Sequence, residues 1–275
     1  MRSNEKRMTN DHHQIEIWKK VLVPLYGERE ALSMWKWYRE AGRPAEVFDE
    51  DLMRLEERYP LQYLLGYTWF YGRKMLVNEH TLIPRPETEE LVFHVLERAG
   101  SLKNAKVIDL GTGSGCIPVT IAAERPSWQV TGVDIQREVL EVARKNADSH
   151  EVAVRWAEAD LLDWSGYPIL QETYDVIVSN PPYIPERDRA IMEDNVLKYE
   201  PDLALFASEE GMIFYREIAR YGFQSLHPGG WMFLELHEDH AFEIYEIFRK
   251  TEKYRQFEIL KDMQGKERIL IVRKE

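Results

Sequence analysis

The chain has 275 residues, 44% hydrophobic and 31% charged, enough for one large or two ordinary globular domains with a proper core. Its 36 basic and 48 acidic residues give a formal charge of −12, which argues against a general nucleic-acid binder, since such proteins carry a basic field. One cysteine, Cys116, excludes an internal disulfide and a cysteine-rich metal site, while the absence of an apolar signal core or a bilayer-length apolar run leads us to expect a cytoplasmic protein with no membrane partner.

Residues 11–58 have a helical pattern. Ile15, Trp18, Val21, Leu22 and Leu25 recur at helical spacing, as do Leu32, Trp35 and Tyr38. Gly42-Arg43-Pro44 breaks the pattern, and Asp49-Glu50-Asp51 opens another helix before Leu52 and Leu55. The tract YTWFYGRKMLV, Tyr67 to Val77, predicts a hairpin with Gly72-Arg73 in its middle. After Pro84-Arg85-Pro86 comes a helix over Glu89 to Arg98, and then strands alternate with helical stretches. The strands are AKVIDL, VTGVD (Val130 to Asp134), AVRWAEAD (Ala153 to Asp160), YDVIVSN (Tyr174 to Asn180) and GGWMFLEL (Gly229 to Leu236). This alternation predicts a doubly wound α/β fold, its mainly parallel sheet covered on both faces. QFEILKDMQGKERILIVRK adds an antiparallel C-terminal hairpin around Gln264-Gly265. The expected division is a small helical domain ending in its β-hairpin, residues 1–80, and an α/β domain, residues 81–275.

VIDLGTGSGCIPV, Val107 to Val119, turns a strand into a helix over glycines, which brings backbone N–H groups close to a ligand. A nicotinamide-type fingerprint needs glycine at position 116, where Cys116 stands. The tighter spacing Gly111-Thr112-Gly113-Ser114-Gly115, preceded by Asp109, fits S-adenosylmethionine better. Asp134 ends the next strand, where a carboxylate can accept both ribose hydroxyls. Asp160-Leu161 ends the one after, placed for an adenine amine and ring face. Each acid alone is more often a strand-end cap. Together with the glycines they mark the edge where ligands of such sheets gather.

Asn180 ends the fourth strand at that edge, followed by Pro181, Pro182 and Tyr183. Each residue before a proline is pushed toward an extended shape, and neither proline has an N–H. The Asn180 side-chain oxygen and the Pro181 carbonyl are therefore candidate acceptors for the two hydrogens of an NH₂ group. Tyr183 is a candidate stacking surface for the flat group carrying it. Such an amide nitrogen needs alignment with an activated methyl group, and no metal or nucleophilic serine or cysteine. Cys116 reads as a small buried residue, His237 and His240 as surface histidines, and Trp35, Trp37 and Tyr38 as helical core more readily than a partner face.

An NPPY segment after a strand, downstream of a GxGxG loop, resembles the amino-methyltransferases of adenine, cytosine, guanine or glutamine NH₂ groups. LQYLLGYTWFYG, LIPRPETEELV, DLGTGSG, VSNPPYIP and YEPDLALFASEEGMIFYREI resemble more narrowly the HemK-type protein glutamine methyltransferases, from about Leu61 to Arg273. That resemblance implies methylation of the glutamine in the Gly-Gly-Gln loop of class 1 peptide chain release factors. It implies a cofactor site at Gly111 to Gly115, Asp134, Asp160, Leu161 and Asn180, and a glutamine site at Asn180, Pro181, Pro182 and Tyr183. The helical domain and its hairpin would help hold the release factor. The family's Glu-x-Gly-x-x-Gln pattern is replaced here by Glu235-Leu236-His237-Glu238-Asp239-His240. Two enzymatic alternatives are a ribosomal-protein glutamine and a nucleic-acid base as target. A third is a non-catalytic cofactor-binding scaffold for translation factors, although a scaffold has no need of Asn-Pro-Pro-Tyr.

Overall fold

The computed structural model describes residues 2–275, with side chains from residue 12 onward. The chain divides into two compact units, Met1–Gly66 and Tyr67–Glu275.

The first unit is helical, with α1 (Arg2–Tyr26), α2 (Glu28–Glu40), α3 (Phe48–Glu56) and α4 (Leu61–Leu65). Gly27, at φ 81°, separates α1 from α2, a break that the helical periodicity does not announce. Trp18, Trp35, Tyr38 and Phe48 pack as one aromatic cluster, and Leu22, Leu52 and Leu55 complete the core. Trp35 and Tyr38 are thus interior residues. Asp51 is buried beneath them, where it accepts from the Tyr38 hydroxyl at 2.9 Å and from the Arg43 fork at 2.8 and 2.6 Å. A buried carboxylate needs such partners, because burial without them is costly.

The second unit begins with the hairpin β1 (Tyr67–Phe70) and β2 (Arg73–Leu76), followed by α5 (Pro86–Arg98). Next come β3 (Lys106–Leu110), α6 (Cys116–Glu124), β4 (Gln129–Asp134), α7 (Arg137–Ser149), β5 (Val154–Glu158) and β6 (Tyr174–Ser179). A connecting region holds β7 (Ile184–Pro185), α8 (Asp194–Tyr199), α9 (Asp202–Leu205) and β8 (Phe206–Ala207). The chain closes with α10 (Ile213–Ser225), β9 (Leu226–Glu235), α11 (Ala241–Arg249), β10 (Tyr254–Lys261) and β11 (Glu267–Lys274).

Seven strands form one sheet in the order β10-β11-β9-β6-β3-β4-β5. The five strands from β9 to β5 run parallel, and β11 pairs antiparallel with β9 and β10. Side chains of the central strands alternate between two buried faces. Ile108, Ile177, Met232, Leu234 and Leu270 pack under α10 and α11. Val107, Val176, Val178, Phe233 and Ile271 pack under α5 and α6. This two-sided burial is why the strands read as continuous apolar runs.

The boundary differs from the one read in the sequence. Phe70 and Met75 of the hairpin belong to the core on the α5 and α6 face. The Leu76 N–H donates to Asn146 Oδ1 at 2.6 Å, and Asn146 Nδ2 donates back to Leu76 O at 3.0 Å. The hairpin is therefore part of the α/β unit, held by an α7 residue that local pattern cannot connect to it. Among the described residues no helix is long and apolar enough to cross a membrane.

Candidate active site

β3 pairs with β4 on one side and β6 on the other, so the chain's winding reverses between β3 and β6. Ligands of open α/β sheets bind beyond the carboxyl ends of the strands at such a point. A cavity of about 260 Å³ opens there. Its walls include Gly111, Thr112, Gly113 and Ser114 after β3, and Asp134 at the end of β4. Asp160 and Leu161 after β5, and Asn180, Pro181 and Pro182 after β6, also line it, so that all of the sequence-derived set except Gly115 and Tyr183 meets there.

The glycine loop divides by role. A Cβ on Gly111 or Gly113 meets nothing within 4 Å, so these two keep the backbone open toward the cavity. Gly115 is different: a Cβ there falls 2.9 Å from both the Ala143 Cβ and the Trp156 ring. It is not among the cavity walls, and its glycine serves close packing against α7 and β5. Asn146 supports the loop from behind, donating to Ser114 O at 2.8 Å.

Asp134 and Asp160 are held in unlike ways. The Gly113 N–H donates to Asp134 Oδ2 at 3.0 Å and the Gln136 N–H to Oδ1 at 3.1 Å. Burial raises the Asp134 pKa, opposed by the backbone N–H groups of Gly113, Gln136 and Ile135. Each carboxylate oxygen keeps a further lone pair for a ligand. Asp160 Oδ1 instead accepts from the Leu162 N–H at 2.8 Å, the capping role that competes with a ligand role at a strand end. Asp109 lies fully buried behind the loop and is no cavity wall. Burial pushes its carboxyl up to about 7, with the Thr112 hydroxyl opposing and the Asp134 charge adding. Cys116 lines the cavity floor at the start of α6, its thiol pushed up to about 12 mainly by burial, so it is held as the neutral thiol.

Asn180 is fixed by a residue outside the loop. Its Nδ2 donates to Thr88 Oγ1 at 3.1 Å, which leaves Oδ1 as the end of the amide not committed to Thr88. Tyr183 is placed differently. Its ring is not a cavity wall but meets His237 edge-on at 5.7 Å. Its hydroxyl donates to Glu235 Oε1 at 3.3 Å. Burial and the Glu235 charge push that phenol well above its ordinary value.

Residues 87–198, which hold the glycine loop, Asp134, Asp160 and Asn180-Pro181-Pro182-Tyr183, match the methyltransferase small domain family. The chain is 38% identical over 225 residues to a release factor glutamine methyltransferase of Flavobacterium psychrophilum, covering 80% of this chain and 78% of that one. It is 40% identical over 226 residues to the enzyme of that name from Streptococcus pneumoniae, covering 82% and 79%. The chain belongs to the release factor glutamine methyltransferase family. The fold agrees: a methyltransferase from Pyrococcus furiosus superimposes with a TM-score of 0.53 at 21% identity, over 74% of this chain and 89% of that one.

The PRPET stretch of this methyltransferase, flagged in the sequence only through its resemblance, does identifiable structural work. Arg85 pairs with Glu200 at 2.6 Å, and the Ile83 N–H donates to the same carboxylate at 3.2 Å. That buried acid ties the segment before α9 to the segment before α5, and so places Leu203 and Ala204 in the cavity wall. Neither histidine after β9 is a simple surface residue. His237 packs on Tyr183 and His240, and burial, then His240, lowers its pKa. Among the described residues no group of three His, Cys, Asp or Glu side chains is placed to hold a metal.

Proposed function

We propose that this methyltransferase transfers a methyl group from S-adenosyl-L-methionine to the side-chain amide nitrogen of the glutamine in the Gly-Gly-Gln loop of class 1 release factors. The observation that carries the reading is Asn180, at the cavity wall with its NH₂ committed to Thr88 and its oxygen left over. An acceptor so placed suits a primary amide, which has two hydrogens to donate.

The residues present fit the cofactor. The open side of Gly111 and Gly113 admits a close approach to backbone, Asp134 would take the ribose hydroxyls, and Ile135 and Leu161 would flank the adenine. Asp160 keeps one oxygen free of its cap for the adenine amine. S-adenosylmethionine supplies a methyl group already activated on its sulfonium. The protein's task is then the nitrogen, whose lone pair is delocalised into the amide. Asn180 Oδ1 and the Pro181 carbonyl would take its two hydrogens, aim it and favour a localised lone pair. Held by the glycine loop and Asp134, S-adenosylmethionine would supply its methyl carbon to this nitrogen, which would give up one hydrogen as a proton to water.

The helical unit, residues 1–66, would help hold the release factor, and the enzyme would act in the cytoplasm, where that factor works. The −12 charge disfavours nucleic acid as substrate. Radiolabelled methyl transfer to purified release factors, ribosomal proteins and RNA, offered side by side, tests the proposal. Label on the release factor is expected, and preferential label on either of the others would overturn it.

A further inference from the structure

The buried carboxylate of Glu235, at the end of β9, reaches both ends of the Asn180-Pro181-Pro182-Tyr183 segment. Thr88 Oγ1 donates to Glu235 Oε2 at 2.7 Å and accepts from Asn180 Nδ2 at 3.1 Å, while Tyr183 donates to Glu235 Oε1 at 3.3 Å. Glu235 is 2% exposed and Thr88 3%. The strand end itself is anchored, because the Tyr215 hydroxyl donates to the Glu235 backbone oxygen at 2.8 Å.

The direction of these bonds follows from the inventory of donors. An ionised carboxylate only accepts, and a hydroxyl has one hydrogen. Thr88 gives that hydrogen to Glu235, so it can offer Asn180 only a lone pair. Asn180 must therefore turn its NH₂ toward Thr88 and its oxygen away. Remove the carboxylate's demand and Thr88 is free to donate. The Asn180 amide can then turn over, presenting a donor to a substrate amide that is itself a donor.

We infer that Glu235 is a positioning residue for methyl transfer: through Thr88 it dictates which end of the Asn180 amide is offered to the substrate, and through Tyr183 it fixes the far end of the same loop. The inference rests on the reading of Asn180 Oδ1 as the acceptor for the target amide. It gives a task to three residues, Thr88, Tyr183 and Glu235, of which only Tyr183 was given a site role from the sequence, as a stacking surface.

The charge state of Glu235 is part of the device. Facing it are Glu87 and Thr88 of α5, Cys116 of α6, Tyr183, Tyr215 of α10 and Arg268 of β11. Burial outweighs the opposing Thr88 hydroxyl and Arg268 charge, Glu87 adds to it, and the carboxyl is lifted from 4.5 to about 7. A proton on either oxygen turns an acceptor into a donor, facing Thr88 in one case and Tyr183 in the other. The competent, ionised form is therefore gained as pH rises through about 7.

The experiment compares Thr88→Val, Thr88→Ser and Glu235→Gln with the wild-type full chain. It reads single-turnover methylation of a release factor from acid to alkaline pH, with cofactor affinity by calorimetry on each variant. Thr88→Val and Glu235→Gln are expected to slow the chemical step by roughly 10–10², at or below the lower end of the loss seen when a preorganised polar group that touches the reacting atoms is removed. Cofactor affinity and the KM for release factor should stay within a few-fold, and Thr88→Ser should restore the rate. The wild-type rate should rise with pH near 7, and that limb should vanish in Glu235→Gln. Equal rates for Thr88→Val and Thr88→Ser, or an unchanged acid limb in Glu235→Gln, would overturn the positioning role. Asn180→Ala run alongside separates the two readings. If it alone is slow, Asn180 acts without this support. If it too is as fast as wild type, the acceptor reading itself fails.

Discussion

Asn180 and Asp134 carry different halves of the account, and their variants should fail differently. Asn180→Ala removes one of two acceptors that orient the nitrogen, while the Pro181 carbonyl persists because Pro182 still restricts its backbone. A loss of roughly 10²–10³ in single-turnover rate is expected, with a much smaller change in cofactor affinity. A rate within a few-fold of wild type would reduce the segment to an ordinary loop. Asp134→Ala should do the reverse. It removes a charged acceptor, which is worth roughly 1.5–3 kcal/mol of cofactor binding, and calorimetry on the folded variant would show it. Unchanged affinity would take Asp134 out of the site. Both residues were legible in the sequence because each ends a predicted strand, Asn180 ahead of two prolines and Asp134 after VTGV. Thr88 and Glu235 were not, since their contacts span 92 and 147 residues of chain and no local pattern encodes them. Tyr183 shows the limit most clearly. Its place after two prolines was evident, but its direction depends on a carboxylate that arrives from β9.

At the scale of elements, periodicity located the central strands β3 and β6 because two-sided burial makes them nearly continuous apolar runs. It failed where tertiary partners decide. Gly27 lies inside the stretch of helical pattern over residues 11–58, yet its φ of 81° ends α1. The hairpin was recognised as a hairpin and placed in the wrong domain, because its anchor is Asn146 on α7. That amide is fully buried and makes three bonds, two to Leu76 and one to Ser114. Asn146→Ala should leave these backbone groups unsatisfied, each at a cost of about 1–3 kcal/mol. Partial relaxation should hold the total near the loss of one such bond, about 3 kcal/mol. Urea denaturation measures that loss, and hydrogen exchange should show the Leu76 N–H newly unprotected. Stability within about 0.5 kcal/mol of wild type would mean the hairpin is held mainly by Phe70 and Met75 in the apolar core.

The whole chain combines a helical unit with its own aromatic core and an α/β unit whose cavity is complete within residues 80–214. Cofactor binding and recognition of a large protein should therefore be separable. A chain of residues 67–275 is expected to bind S-adenosylmethionine with near-normal affinity and to methylate whole release factor far more slowly than the full chain. Full efficiency from the truncated chain would remove the helical unit from substrate recognition. The reaction as a whole is tested most directly by locating the methyl group. Folded release factor, incubated with the full-length enzyme and S-adenosylmethionine, is digested and read by tandem mass spectrometry. A single methyl is expected on the side-chain nitrogen of the Gly-Gly-Gln glutamine, and none when that glutamine is replaced by alanine. A methyl on any other residue, or an unmodified release factor beside methylated RNA or ribosomal protein, would contradict the proposed reaction.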